Sequence, residues 1–154
     1  AYFGRGTQTV DCNIVANHFG RKTNSEILAS GALADAAKKV FRGTIDFKRG
    51  CADSVGSENE TVLMLGDGAV NKTVPLILCA EENVEGTHGA TIGELDAATL
   101  FYCESRGIDR ATAQAILSRA AIERLIRMAD DEAFTAAAEA ALEAVLGDKG
   151  GKDA

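Results

Sequence analysis

The sequence contains few of the residues and patterns on which several classes of function depend. It has no Trp, and aromatic residues make up only 5% of its 154 residues, so no aromatic stripe for stacking on carbohydrate is visible. No apolar run approaches the roughly 20 residues that a membrane-spanning helix needs. The chain does not open with the basic, apolar and small-residue succession of a secretion signal. We therefore predict no membrane partner.

Positive charge is also scarce. The formal net charge is −7 and the sequence pI is near 4.8. A nucleic-acid-binding protein needs a basic surface that displaces counterions from phosphates. The basic residues between 38 and 49 alternate instead with apolar residues and form no basic patch. We therefore predict no nucleic-acid partner.

The four cysteines lack the spacing of a zinc site or a redox motif. They lie at positions 12, 51, 79 and 103, and none forms a C-x-x-C pair. Cys12 and Cys79 fall in apolar, strand-like runs, and Cys103 falls in an amphipathic helical segment. The pattern indicates buried, free thiols in a reducing compartment.

Two candidate catalytic features have simpler interpretations. Gly66-Asp67-Gly68 follows an apolar run, but no Gly-Lys-Ser/Thr follows it, so a tight turn between strands is favoured over a phosphate-binding loop. Asp46 and Asp53 could form the acid pair of a polysaccharide-cleaving β-helix. Surface carboxylates are common, so a solvated face of a solenoid is the favoured interpretation of this pair.

The chain divides near residue 90. Residues 1–90 predict strands, residues 91–147 predict helices, and the Gly-, Lys- and Asp-rich tail 148–154 predicts disorder. The strand-like runs are short, are separated by turn-forming residues, and begin near residues 10, 27, 44, 62 and 74. This recurrence of under about 20 residues indicates the coils of a solenoid. By period alone, a β-sandwich remains an alternative.

The helical half contains recognisable helix starts. Thr91-Ile92-Gly93-Glu94 matches a capping box, which predicts that a first helix begins at Thr91. Asp109 is a suitable N-cap for a second helix. A third helix is predicted to start at Asp130 or Asp131 and to end at Gly147. The resulting prediction is a β-solenoid followed by two or three helices.

The two histidines lie in different settings. His18 stands in Asn17-His18-Phe19-Gly20, which predicts a turn or core histidine with satisfied ring nitrogens. His88 has glycines at positions 86 and 89, in a segment predicted to be a loop where the β half meets the helical half. A loop histidine beside glycines is accessible to partners. It is therefore a candidate functional residue, although loop histidines are often incidental.

Several blocks of the chain, in order, resemble the C-terminal core of the SufB/SufD family. The resemblance runs from about residue 15 to residue 108. Its last blocks are long and specific. Thr87 to Asp96 is similar to the family's S-H-G-A-T-x-G-x-L-D, and Leu100-Phe101-Tyr102 and Ser105-Arg106-Gly107-Ile108 follow it. The other matching blocks are Asn17-His18-Phe19-Gly20, Thr23-Asn24-Ser25, Gly31-Ala32-Leu33 and Val40-Phe41-Arg42-Gly43-Thr44-Ile45.

The resemblance implies a right-handed parallel β-helix followed by a helical C-terminal region. It further implies a cytoplasmic scaffold subunit of a SUF-type iron–sulfur cluster assembly complex, not an enzyme by itself. The implied partners are a SufC-like ABC ATPase, docked on the helical region, and a SufB-like subunit or a second copy of this chain. An iron–sulfur cluster would be held transiently and only with a partner, with His88 as a candidate iron ligand at the subunit interface. The separate ATPase is consistent with the lack of a phosphate-binding loop here.

The junction segment resembles the SufD branch. Gly89 follows His88, as in the SufD-type H-G-A-T, whereas the SufB type has H-E-A-T and an essential Cys on a preceding strand. Thr61 to Leu65, the segment expected to carry that Cys, contains none. We also expect the chain to be part of a longer protein. The alternatives to the scaffold hypothesis are a β-helix polysaccharide-acting enzyme and a structural solenoid without a ligand.

Overall fold

Seven strands precede three α-helices in residues 1–147, the part of the chain that this computed structural model describes. The predicted disordered tail, residues 148–154, lies outside the described residues. The strands are β1 Tyr2–Gly4, β2 Thr9–His18, β3 Asn24–Leu33, β4 Lys38–Phe47, β5 Ser54–Met64, β6 Val70–Cys79 and β7 Val84–Glu94. The helices are α1 Ala97–Glu104, α2 Arg110–Ile126 and α3 Glu132–Gly147, with a 3₁₀ turn, Arg127–Ala129, before α3.

Each strand pairs in parallel with the strand two positions further along the chain, so β1 pairs with β3 and β2 pairs with β4. One sheet has the order β1-β3-β5-β7 and the other has the order β2-β4-β6, so the chain alternates between two sheets as it winds. Thr9 pairs with Lys38, and Lys38 pairs with Val70, so one coil takes about 30 residues. The parallel β-helix is confirmed, and the β-sandwich alternative is wrong. The spacing of under 20 residues corresponds to one strand with its turn, because each coil contains two strands.

Alternate residues of the strands face the space between the sheets. In β4, the buried inward-facing residues include Phe41, Ile45 and Phe47. They form the main core with Ile27, Ala29 and Cys51. A second buried cluster contains Leu33, Ala37 and Val62. Stacking the coils therefore buries apolar clusters that no single coil could bury alone.

Three turns between strands contain a non-glycine residue with left-handed backbone. Lys22, Asp35 and Asp53 have φ values of 56°, 56° and 64° and lie between consecutive strands. Neighbouring turns are also joined, since the Gly6 amide donates to Asp35 Oδ2 at 2.8 Å. Gly66-Asp67-Gly68 lies in the connection from β5 to β6, which confirms the predicted turn.

The predicted capping box at Thr91 is wrong. Thr91 to Glu94 form the end of β7, and they pair with Thr61 to Met64 of β5. Continuing the ladder provides hydrogen-bond partners for backbone groups that a helix start would leave unpaired. The first helix begins instead at Ala97, where Asp96 Oδ1 accepts from the Thr99 amide at 2.6 Å.

The other helix starts agree with the sequence. Asp109 Oδ1 accepts from the Thr112 amide at 2.8 Å, which confirms the predicted N-cap of α2. Asp131 Oδ1 accepts from the Phe134 amide at 2.8 Å at the start of α3. None of the helices within residues 1–147 is long and apolar enough to cross a membrane.

The helices cover the outer face of β3. Ser30 Oγ donates to the Ala121 carbonyl of α2 at 2.6 Å, and Gln114 Nε2 donates to the Leu65 carbonyl at 3.0 Å. Ile122 and Leu142 belong to a separate, small buried cluster, and Phe3 packs against this cluster. This placement leaves the end of the stack formed by β6 and β7 uncovered by the described helices.

Candidate functional site

His88 lies in the middle of β7, so its predicted place in a loop is wrong. Its predicted exposure is nevertheless observed. His88 pairs with Glu58 of β5, and β7 is the last strand of its sheet. The histidine is therefore exposed because it belongs to the terminal coil, while its backbone is held in a ladder.

The His88 side chain is on the inner side of the coil. It shares this side with Gly86, where an added Cβ would meet Ile77 Cγ2 at 3.0 Å and Phe47 Cε2 at 3.1 Å. It also shares this side with its register partner, the buried Glu58. No further strand of residues 1–147 stacks on β7. The ring is therefore inward-facing and open at the end of the stack.

Glu58 lies one strand below His88 and is almost completely buried, with 1% exposure. Its Oε2 has no hydrogen-bond partner in the described part of the chain. Gly43 leaves room for the carboxyl group, since a Cβ there would overlap it. Burial raises the pKa of the Glu58 carboxyl; the charge of His88 opposes this effect and that of Glu60 adds to it.

Glu60, the next inward residue on β5, is fully paired. Lys39 Nζ forms an ion pair with Glu60 Oε1, Tyr2 Oη donates to the same oxygen at 3.0 Å, and Thr73 Oγ1 donates to Glu60 Oε2. Burial lowers the pKa of Lys39, against the opposing attraction of Glu60. Burial and the charge of Glu60 raise the pKa of Tyr2. The interior thus contains one satisfied carboxylate and one unsatisfied carboxylate.

Sequence reasoning missed both glutamates. The sequence did contain a signal for their burial. Glu58, Glu60, Val62 and Met64 are alternate residues of β5, and alternate residues of a strand lie on the same face. This signal is weak, because charged residues are rarely buried unless they are paired.

The cysteines are only partly as predicted. All four are free thiols. Cys51 is buried in the main core, but Cys79 is exposed because it ends β6, the last strand of its sheet. Cys12 and Cys103 are half-buried. Within residues 1–147, no three His, Cys, Asp or Glu side chains are grouped closely enough to hold a metal ion.

The candidate acid pair gains no support from the structure. Asp46 forms an ion pair with Lys48. Asp53 forms one with Arg21 at 3.0 Å and also accepts from Asn83. Each carboxylate is therefore engaged with its own partners, in keeping with structural ion pairs at the side of the solenoid.

His18 has the structural role that its sequence context predicted. It is buried at the end of β2, with Nδ1 2.6 Å from Thr23 Oγ1 and Nε2 2.8 Å from Ser25 Oγ. Its ring centroid lies 4.7 Å from that of Phe47. Both ring nitrogens are satisfied, and the residue is part of the core.

Replacing His18 with Ala should lower the free energy of unfolding by about 2–4 kcal/mol, because it leaves a cavity beside Phe47 and removes a partner of two hydroxyls. Chemical denaturation followed by circular dichroism measures this loss. Phe19→Ala is a suitable control because Phe19 is the next residue but is 72% exposed, and it should change the stability little. Equal stability of the wild-type and His18→Ala proteins would contradict the structural role.

The chain matches a known family over most of its length. Residues 1–121 match the SufBD core domain, described as belonging to SUF system FeS cluster assembly. The match includes the whole β-helix and the first part of α2.

Individual relatives agree with this match. The chain is 32% identical over 114 residues, 74% of its length, to the iron–sulfur cluster assembly protein SufD of Bacillus subtilis. It is 30% identical over 109 residues, 71% of its length, to the SufD protein of Escherichia coli. A chloroplastic SufBD family protein of Arabidopsis thaliana is 26% identical over 110 residues, 71% of this chain. These alignments cover 26%, 26% and 20% of the respective relatives, so the chain spans at most about a quarter of their length.

Proposed function

Since the chain belongs to the SufB/SufD family of SUF-system iron–sulfur cluster assembly proteins, we propose that it serves as a scaffold and interaction subunit, without catalytic activity of its own. The observation that carries this proposal is the exposed His88 on the inner side of the terminal coil. A side chain fixed in a strand at an open end can be offered to a partner without unfolding any core. Work in a reducing cytoplasm fits the free thiols of the chain.

The cluster in this proposal is a cargo that the chain shares with a partner. An imidazole nitrogen suits iron, but a cluster normally takes four ligands, mostly thiolates. No metal-binding group of three such side chains exists within the described residues. The remaining ligands would therefore come from a SufB-like subunit or a second copy of this chain, and the cluster would be held only transiently in that complex.

The SufD type is the favoured branch. Two of the relatives are named SufD, and Gly89 follows His88 as in the SufD-type segment. Strand β5, the neighbour of β7, contains no cysteine. A SufB-like subunit that contributes thiolate ligands is accordingly the partner that this proposal expects first.

The helices supply a second surface, which we assign to a SufC-like ABC ATPase. Within residues 96–127, Phe101, Tyr102 and Ile116 are large apolar residues that remain exposed. They lie on α1 and α2, beside the β-helix. Exposed apolar side chains of this size are typical of protein–protein contacts.

Phe101→Asp is expected to abolish co-purification of the ATPase with the full-length protein, because a charge would be buried in an apolar contact. The melting temperature should change little, since Phe101 is 72% exposed. Pull-down from cells that express the SUF partners measures the retained ATPase.

A matched control is Phe134→Asp on α3, where the same substitution replaces a 53% exposed Phe outside the assigned surface. It should retain the ATPase. Wild-type ATPase recovery with Phe101→Asp, or equal loss with both variants, would show that residues 96–127 are not the docking surface.

A further inference from the structure

Glu58 is a buried carboxylate without a partner for its Oε2 within residues 1–147. An unpaired buried charge or polar group costs free energy, and an apolar side chain at the same position would avoid that cost. The neighbouring Glu60 shows what a stabilised carboxylate looks like in this interior, since Lys39 and Tyr2 both bind it. Residues that break a local stability rule in this way are often functional.

Glu58 is also next to His88. The two residues are register partners on adjacent parallel strands, which lie about 4.8 Å apart. Both are on the inner side of the coil. Gly43 of the opposite sheet leaves space for the carboxyl group. The buried carboxyl group of Glu58 therefore belongs to the coil directly below the exposed His88, one coil inside the open end of the stack.

We propose that Glu58 is the second protein ligand, with His88, for divalent iron at this open end. The proposal rests on the proposed function of His88 and adds to it the donor set that this chain itself contributes. Imidazole nitrogen and carboxylate oxygen are both suitable donors to iron(II). Two ligands leave coordination positions for a partner, and they bind a metal ion weakly, so the chain alone should purify without iron.

Anaerobic titration of the purified protein with Co²⁺, a visible-absorbing probe of iron(II) sites, tests the pair. Glu58→Gln and His88→Ala should each weaken Co²⁺ binding at least about tenfold, since loss of even an outer-shell partner of a metal ligand costs about 10–100-fold. Glu85→Gln provides the matched control, because Glu85 is an exposed glutamate on β7 on the opposite face from His88. It should leave the Co²⁺ affinity unchanged.

Thermal unfolding separates this role from a structural one. Glu58→Gln keeps the shape of the side chain and removes the unpaired charge, so it should raise the melting temperature while it lowers the Co²⁺ affinity. Gly43→Ala should displace the carboxyl group with its charge intact, because the added methyl overlaps it. It should also weaken Co²⁺ binding, but with a lower melting temperature.

The outcomes separate the two proposals. If His88→Ala weakens Co²⁺ binding and Glu58→Gln does not, the inference about Glu58 is overturned and His88 remains a candidate ligand. If wild type shows no saturable Co²⁺ absorption, or neither variant changes it, both ligand assignments fail. An equal loss in Glu85→Gln would show nonspecific attraction by negative charge and would also overturn the Glu58–His88 pair.

Discussion

Replacing His88 with Ala is expected to reduce the iron and acid-labile sulfide of the assembled complex to a small fraction of the wild-type content. The ring is exposed at the terminal coil, so the substitution removes a ligand and almost no core packing. The free energy of unfolding should therefore change by no more than about 1 kcal/mol. Iron and sulfide analysis of the complex purified from cells, together with its melting temperature, measures both effects.

The control for this experiment is His18→Ala, which removes the other imidazole of the chain from a buried site. It should lower the melting temperature, and any complex that still assembles should carry its cluster. If the His88→Ala complex has the iron and sulfide content of the wild type, His88 is not a cluster ligand. The family assignment would stand in that case, and the alternative of a structural solenoid without a ligand would be favoured.

Replacing Lys39 with Met is expected to give the largest loss of stability, about 3–5 kcal/mol, because it leaves the buried Glu60 without its cation. Both side chains of the pair are almost completely inaccessible, at 1% and 0% exposure. The bonds from Tyr2 and Thr73 remain, but they supply no positive charge. Chemical denaturation at neutral pH measures the change.

Lys38→Met is the matched control, because Lys38 precedes Lys39 on β4 but is exposed. It should have little effect on stability. The double variant Lys39→Met, Glu60→Gln should recover much of the loss, since neither charge is then left unpaired. A Lys39→Met protein as stable as Lys38→Met would contradict the buried ion pair.

The sequence by itself determined the features that depend on neighbouring residues. Alternating apolar residues with turn residues between them indicated the strands, and their spacing indicated a solenoid. Asp109 marked the start of α2, because an N-cap needs only its own side chain and an amide three residues on. The glycine-flanked His88 was recognisable as an exposed candidate, and its surrounding block carried the family resemblance that the SufBD core match confirms.

Only the tertiary structure decided the features that depend on residues a coil apart. Thr91 to Glu94 could cap a helix by their local pattern, but β5 offers them a ladder, so they extend β7. The sequence analysis did not single out Glu58 or Glu60. The stacked coils place Glu58 below His88 and Glu60 beside Lys39, both in the interior. In a parallel β-helix, each strand finds its hydrogen-bond partners and its cover about 30 residues away. Burial, pairing and the open end at His88 are therefore properties of the stacked coils, which the local pattern cannot specify.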